Sequence, residues 1–208
     1  VTPRTRVVFI ASPNNPTGNL VTEQEVRRLL ALGVVVVVDE AYFEFASDSV
    51  APLLAVNPNL IVLRTFSKWA GLAGLRVGYC LCHEKIAGHL LTIKQPYNVN
   101  VAGEAAAIAS LHDAEYLLQN VARLRSERDR MCSGLAEKPW LHPIPSQANF
   151  VLCRVDEKTH RRDMTTARGL RDGLRQRGIL VRFYESEGLR DCLRISAGLP
   201  ADTDALLE

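Results

Sequence analysis

The apolar residues of this chain fall into short runs that alternate with turn clusters and with one-faced helical stripes. Arg6 to Ser12 (Arg-Val-Val-Phe-Ile-Ala-Ser) reads as a strand closed by a dense turn of Pro13, Asn14, Asn15, Pro16, Thr17 and Gly18. Thr22 then precedes Glu25 at the spacing of a capping box, and Val26, Leu29 and Leu30 form a helical stripe that stops at Gly33. Val34 to Val38 is five valines in succession, ending in Asp39-Glu40. A half-exposed strand would alternate, so this run predicts a parallel strand covered on both faces. Leu60 to Thr65 is a third strand, leading into Phe66-Ser67-Lys68, and Arg76 to Cys82 a fourth, after Gly71 and Gly74. Strand, helix, strand in this order predicts an open α/β fold with a mostly parallel sheet.

Beyond the fourth strand the pattern changes. From Gly103 to about Leu135 the chain is alanine-rich and then rich in Arg and Glu, which predicts one or two long helices. After Pro139, Pro143 and Pro145 it reads strand (Ala148 to Val155), helix (Met164 to Arg177, closed by Gly178), strand (Ile179 to Tyr184) and strand (Cys192 to Ala197). The expected organisation is a large α/β domain over 1–122 and a smaller α+β domain over 123–208. The chain opens on Val1, and its last residues, Leu206-Leu207-Glu208, read as the middle of a helix. The expectation is therefore a C-terminal piece of a longer protein, in which a targeting segment would lie outside the sequence in hand.

Composition narrows the class without identifying a function. Apolar residues make up 47% and charged residues 23%, the mix of a globular protein with a real core. The net charge is only +2, and Arg123, Arg125, Arg128 and Arg130 are interleaved with Glu127 and Asp129, so no nucleic-acid footprint emerges. The longest apolar run, Leu29 to Val38 with Gly33 inside it, is too short to span a bilayer, so no membrane association is expected. Five cysteines without a C-x-x-C pair, and five histidines without zinc-ligand spacing, predict reduced thiols, ordinary imidazoles and no metal.

The candidate chemistry lies where open parallel sheets bind ligands, outside the carboxyl ends of the strands. Asn15 follows the first strand, Asp39 and Tyr42 the second, and Thr65, Ser67 and Lys68 the third. Taken singly, Lys68 reads as a solvated side chain and Asp39 as a cap on whatever follows it. Together, Ser-Pro-Asn-Asn-Pro-Thr-Gly (12–18), Asp39-Glu40-Ala41-Tyr42, and Ser67-Lys68 followed by Gly71, Gly74, Arg76 and Gly78 are far more specific.

In this order and spacing the sequence resembles the fold-type I, class I/II aminotransferases, enzymes that use pyridoxal 5′-phosphate (PLP) and work as homodimers. The resemblance covers essentially the whole chain. It implies that Lys68 binds PLP covalently and moves the α-proton, and that Asp39 is the anion beside the pyridine nitrogen, which keeps the ring an electron sink. It further implies that Asn15 and Tyr42 hydrogen-bond the ring's 3′-oxygen, and that Thr65, Ser67 and Arg76 hold the phosphate. Arginine suits that task because its planar fork donates two parallel bonds. The family's glycine-rich phosphate turn and the aromatic residue that stacks on the ring lie upstream of the lysine-bearing half and are not in this sequence.

Gly178-Ile179-Leu180-Val181-Arg182 and Cys192-Leu193-Arg194-Ile195-Ser196-Ala197-Gly198 resemble the C-terminal segment of the histidinol-phosphate branch of that family. Arg64-Thr-Phe-Ser-Lys68, Ala73-Gly-Leu-Arg76 and Lys94-Gln-Pro-Tyr-Asn98 fit the same branch. The wider family implies that Arg194 binds the substrate's α-carboxylate, and this branch implies that Arg182 contacts the substrate's phosphate. The implied reaction converts histidinol phosphate and 2-oxoglutarate to imidazole acetol phosphate and glutamate, in histidine biosynthesis. An aromatic-amino-acid aminotransferase, a PLP decarboxylase acting on a phosphate substrate, and a non-catalytic chain that pairs with a full-length subunit remain alternatives. Residues 96–100 resemble plant and algal versions, which points to the plastid stroma, with the cytoplasm as the other compartment.

Overall fold

A computed structural model describes residues 1–156 and 166–208, which group into two compact units: Val1–Asn14 with Leu20–Val121, and Asn15–Asn19 with Ala122–Glu208. The first unit begins with strand β1 (Val7–Ala11), helix α1 (Glu23–Leu30), β2 (Val35–Asp39) and β3 (Leu60–Thr65). It continues with β4 (Gly78–Cys82), α2 (Glu84–Ile93), α3 (Val101–His112) and the first part of α4 (Ala114–Ala136). Its sheet runs β1-β2-β3-β4, with the first two pairings parallel and the last antiparallel.

The valine run makes the central strand. Val36 and Val38 join Val26 and Leu30 of α1 in one apolar cluster, while Val37, pointing the other way, is also buried. Burial on both faces is what an uninterrupted β-branched run provides. The predicted capping box is present at the start of α1. The Thr22 hydroxyl accepts from Glu25 N–H (3.2 Å), and the Glu25 carboxylate accepts from Thr22 N–H (2.8 Å).

The second unit contains the rest of α4, then β5 (Leu141–Ile144), β6 (Phe150–Val155), α5 (Ala167–Gln176), β7 (Arg182–Phe183), β8 (Cys192–Ser196) and α6 (Pro200–Leu207). Its four strands are antiparallel, in the order β5-β6-β8-β7. One face of this sheet carries Val151, Cys153, Val155, Leu193 and Ile195 into a core with Met131 and Leu135 of α4. The opposite face carries Arg194, with Leu152 and Arg182 as its direct partners on the two neighbouring strands.

Several boundaries differ from the sequence pattern. The fourth strand starts at Gly78 rather than Arg76, because Arg76 closes a 3-10 turn (73–75) in the left-handed region (φ 58°). Helix α2 and strand β5 have no counterpart in the sequence pattern, whereas the Gly103–Leu135 tract, which predicts one or two helices, is two, broken at Asp113. The strand expected over Ile179–Tyr184 pairs only at Arg182 and Phe183. The helix expected from Met164 begins, among the described residues, at Ala167; Met164, Thr165 and His160 lie outside them. Among the described residues no helix is long and apolar enough to cross a membrane.

Candidate active site

In the first unit, an open cleft of about 400 Å³ lies at the strand ends, with Asp39, Thr65, Ser67, Lys68 and Arg76 in its lining. Each arrives there through local structure. Asp39 is the last residue of β2, and its Oδ1 accepts from Ala41 N–H (3.0 Å), which fixes the carboxylate's direction. Thr65 ends β3. Its Oγ1 accepts from Ser67 N–H (3.0 Å) and lies 2.9 Å from Ser67 Oγ, so the two hydroxyls are held together. Phe66 N–H donates to Val77 carbonyl oxygen (3.1 Å), which pins the turn carrying Lys68 against the residue preceding β4. Gly78 belongs to the same construction: a Cβ there would stand 2.8 Å from the Arg64 carbonyl oxygen, so only glycine allows this approach.

The Lys68 Nζ lies 5.2 Å from the centroid of the Tyr42 ring, and Tyr42 itself is buried. Five of the expected cofactor residues therefore share one cleft, with Tyr42 against its lysine. The lining combines a carboxylate, an amine, two hydroxyls and a guanidinium. This donor set suits a ligand with a basic ring nitrogen, a reactive carbonyl and a phosphate dianion, and those are the functional groups of PLP.

The remaining expected residues are in the second unit. Asn15 belongs to a short segment grouped there, whose Gly18 carbonyl oxygen accepts from Gln147 N–H (2.7 Å). Gly18 adopts φ +76°, and a Cβ on it would collide with Ser146 Oγ at 2.1 Å, so the Asn-Pro-Thr-Gly motif ends in glycine for packing as well as for turning. Arg194 Nη1 donates to Asn15 Oδ1 (2.8 Å), and its guanidinium carbon is 5.1 Å from the Phe150 ring centroid. Arg194 Nε is buried and meets no acceptor among the described residues. A buried donor without a partner is costly, and a bound anion would satisfy it. Arg182 is exposed, and it sits directly across the ladder from Arg194, so both guanidinium groups leave the same face of the sheet.

The sequence alone did not single out the charged network beside the first cleft. Glu40, 2% exposed, accepts from Arg64 Nε (3.1 Å) and Nη2 (2.9 Å), from Ser49 Oγ and from Val50 N–H. Arg64 also lies 3.6 Å over the Phe43 ring. Next to Phe43, burial pushes the Glu44 carboxyl from its ordinary 4.5 up to about 7, aided by the Glu40 charge and opposed by a backbone N–H and by Arg64. Between about pH 4.5 and 7 the folded state thus holds a proton that the unfolded chain has lost, so this group's contribution to stability falls as pH rises through that window. Glu44→Gln is expected to raise Tm at pH 8 by about 2–4 °C, on the order of 1 kcal/mol after allowance for its partial exposure. It should change nothing at pH 4. Equal gains at both pH values in thermal melts would show that the carboxyl does not titrate in this way.

The strand-end cleft on a mainly parallel sheet, with a lysine among anion-binding groups, defines a class of cofactor-dependent enzyme, and the whole chain, residues 1–208, matches the family of class I and II aminotransferases, to which it belongs. Among curated relatives, a histidinol-phosphate aminotransferase of Roseiflexus castenholzii is 52% identical over 203 residues, 98% of this chain and 54% of the relative. The chloroplastic histidinol-phosphate aminotransferase 1 of Arabidopsis thaliana is 45% identical over 204 residues, 98% of this chain and 48% of the relative. The crystal structure of the Sinorhizobium meliloti histidinol-phosphate aminotransferase, in complex with pyridoxal-5′-phosphate, superposes with a TM-score of 0.81 at 33% identity, covering 97% of this chain and 55% of that one. The chain spans about half the length of the curated relatives it matches.

Proposed function

We propose that the full-length protein is a PLP-dependent aminotransferase that converts histidinol phosphate and 2-oxoglutarate to imidazole acetol phosphate and glutamate, as a step of histidine biosynthesis. The observation that carries the substrate assignment is the cross-strand pair Arg182 and Arg194, with a buried, unpartnered Nε on Arg194. Two guanidinium groups on one sheet face suit two different anions, the phosphate of histidinol phosphate and the α-carboxylate of glutamate. The relatives named histidinol-phosphate aminotransferase support the same reading.

Bound PLP supplies the electron sink that makes loss of an α-proton feasible at neutral pH. In this reading Lys68 holds the cofactor and carries the proton through its Nζ. Asp39 keeps an anion beside the pyridine nitrogen. Tyr42 and Asn15 donate to the ring's 3′-oxygen, and Thr65, Ser67 and Arg76 bind the phosphate. Arg194 orients the carboxylate of the amino donor. Arg182 selects the phosphate-bearing substrate.

The protein is also proposed to act as a homodimer. Leu91, Ile93, Val101 and Leu111 on α2 and α3 expose apolar surface, which supports a face that association covers. The proposed compartment is the plastid stroma if the gene is plant or algal, and the cytoplasm otherwise.

Arg182→Ala tests the substrate assignment. Losing a charge-assisted hydrogen bond costs about 1.5–3 kcal/mol, so kcat/KM for histidinol phosphate should fall by roughly ten- to two-hundredfold. The glutamate half-reaction should be nearly unchanged, whereas Arg194→Ala should impair both. Single-turnover kinetics of each half-reaction measure this directly. Normal histidinol-phosphate kinetics in the Arg182 variant would remove the phosphate assignment and leave a general aminotransferase.

A further inference from the structure

The expected cofactor residues at the ends of β2 and β3 have immediate neighbours that belong to one network around the buried Glu40. Asp39 is followed by Glu40, Tyr42 by Phe43, and Thr65 is preceded by Arg64. Side chains alternate along a strand, so Glu40 and Arg64 leave the opposite face from Asp39 and Thr65; Glu40 lies outside the cleft lining, while Arg64 contributes to its edge. The register of the parallel ladder, Asp39 opposite Leu63, makes Glu40 and Arg64 the next rung. On that rung Glu40 N–H still donates to Leu63 carbonyl oxygen (2.9 Å), and the two charged side chains close the gap between the strands.

We propose that Glu40 and Arg64 are positioning residues, an ion pair of a buried carboxylate and a mostly buried guanidinium at the edge of the cleft, which sets Asp39 and Tyr42 on one strand end in register with Thr65, Ser67 and Lys68 on the next. This inference rests on the reading that the cleft binds PLP. Three features of the pair suit positioning better than simple adhesion. The contact is directional, because two nitrogens of one guanidinium meet a single carboxylate oxygen, Oε2. Ser49 Oγ lies 2.9 Å from each carboxylate oxygen and Val50 N–H donates to Oε1 (2.8 Å), so a carboxylate that turned to follow a displaced arginine would lose these contacts. The Phe43 ring, stacked on the guanidinium, carries the same constraint to the residue adjoining Tyr42. Burying an ion pair contributes little net stability compared with an apolar pair of similar volume, whereas one lost partner leaves a misplaced charge. Its most useful product here is a fixed register, since a slip by one residue would turn every side chain of the strand to the other face.

The test uses the full-length protein loaded with PLP and the variants Glu40→Gln, Arg64→Met and Arg64→Lys. Each is examined for PLP dissociation constant, for the pH midpoint of the bound cofactor's visible absorption band, and for kcat and KM. Displacement of Asp39 relative to Lys68 should move the absorption midpoint by about one pH unit. It should lower kcat by about ten- to a hundredfold, with KM for the amino donor little changed. Arg64→Lys keeps the charge but not the fork, so it should restore thermal stability without restoring the midpoint. An unchanged midpoint and kcat in folded variants, with only Tm reduced, would overturn the proposal and make the pair a strut. If Arg64→Met does not fold, the midpoint and kcat of Arg64→Lys decide the question. A wild-type protein with no cofactor absorption band would instead refute the PLP reading on which the proposal depends.

Discussion

Lys68→Ala in the full-length protein is expected to reduce transamination by about a hundred- to ten-thousandfold, the loss associated with removing a positioned general acid–base group. The lysine terminates no helix and bridges no core; it follows β3 in a turn held by Phe66 N–H to Val77, with its side chain exposed in the cleft. Truncation should therefore leave the fold intact while removing the amine proposed to hold the cofactor. Borohydride reduction followed by peptide mapping checks the assignment independently of rate. The wild-type protein should carry pyridoxyl on the peptide containing Lys68, and the variant none. A label found on Lys85 or Lys94 would place the cofactor elsewhere.

Asp39→Asn should separate binding from turnover. The asparagine carbonyl can still accept from Ala41 N–H, so the turn after β2 keeps its geometry. What disappears is the negative charge beside the proposed position of the pyridine nitrogen. Removing one preorganised electrostatic partner typically costs about 10²–10³ in kcat, and that is the expected loss here. Contacts from Tyr42, Thr65, Ser67 and Arg76 should retain PLP at weakened affinity, measurable by equilibrium dialysis. Wild-type turnover in Asp39→Asn would reduce this residue to the cap of its own turn.

The two expectations rest on different kinds of legibility. Elements whose pattern is local were readable in the residues. Val34 to Val38 could be covered on both faces only in a central strand, and Thr22 with Glu25 carries its hydrogen-bonding partners within four residues. Leu60 to Thr65 is bounded as expected. Helix α2 was not legible because none of its residues is buried, so no apolar stripe contrasts with a polar face. Strand β5 contains Pro143, which argues against a strand until the segment is seen to lie at the edge of its sheet, where a missing N–H is tolerated.

For the site, the inventory and the chemistry are legible in the residues alone: a lysine, carboxylates, hydroxyls and arginines after successive strands, in an order shared with a known family. Which of them meet depends on the folded arrangement of the strands. That Asp39, Thr65, Ser67 and Lys68 line one cleft follows from parallel pairing that brings strand ends together, and Arg76 joins them because β4 runs antiparallel to β3 and begins at that end. That Glu40 meets Arg64 across 24 residues, and that Arg182 stands opposite Arg194 across 12, depends on register. Register is set by the combined burial of whole strands and by the turns between them, so no short stretch of sequence encodes it. The residues carry their chemistry individually, but distance and direction between them are properties of the folded chain.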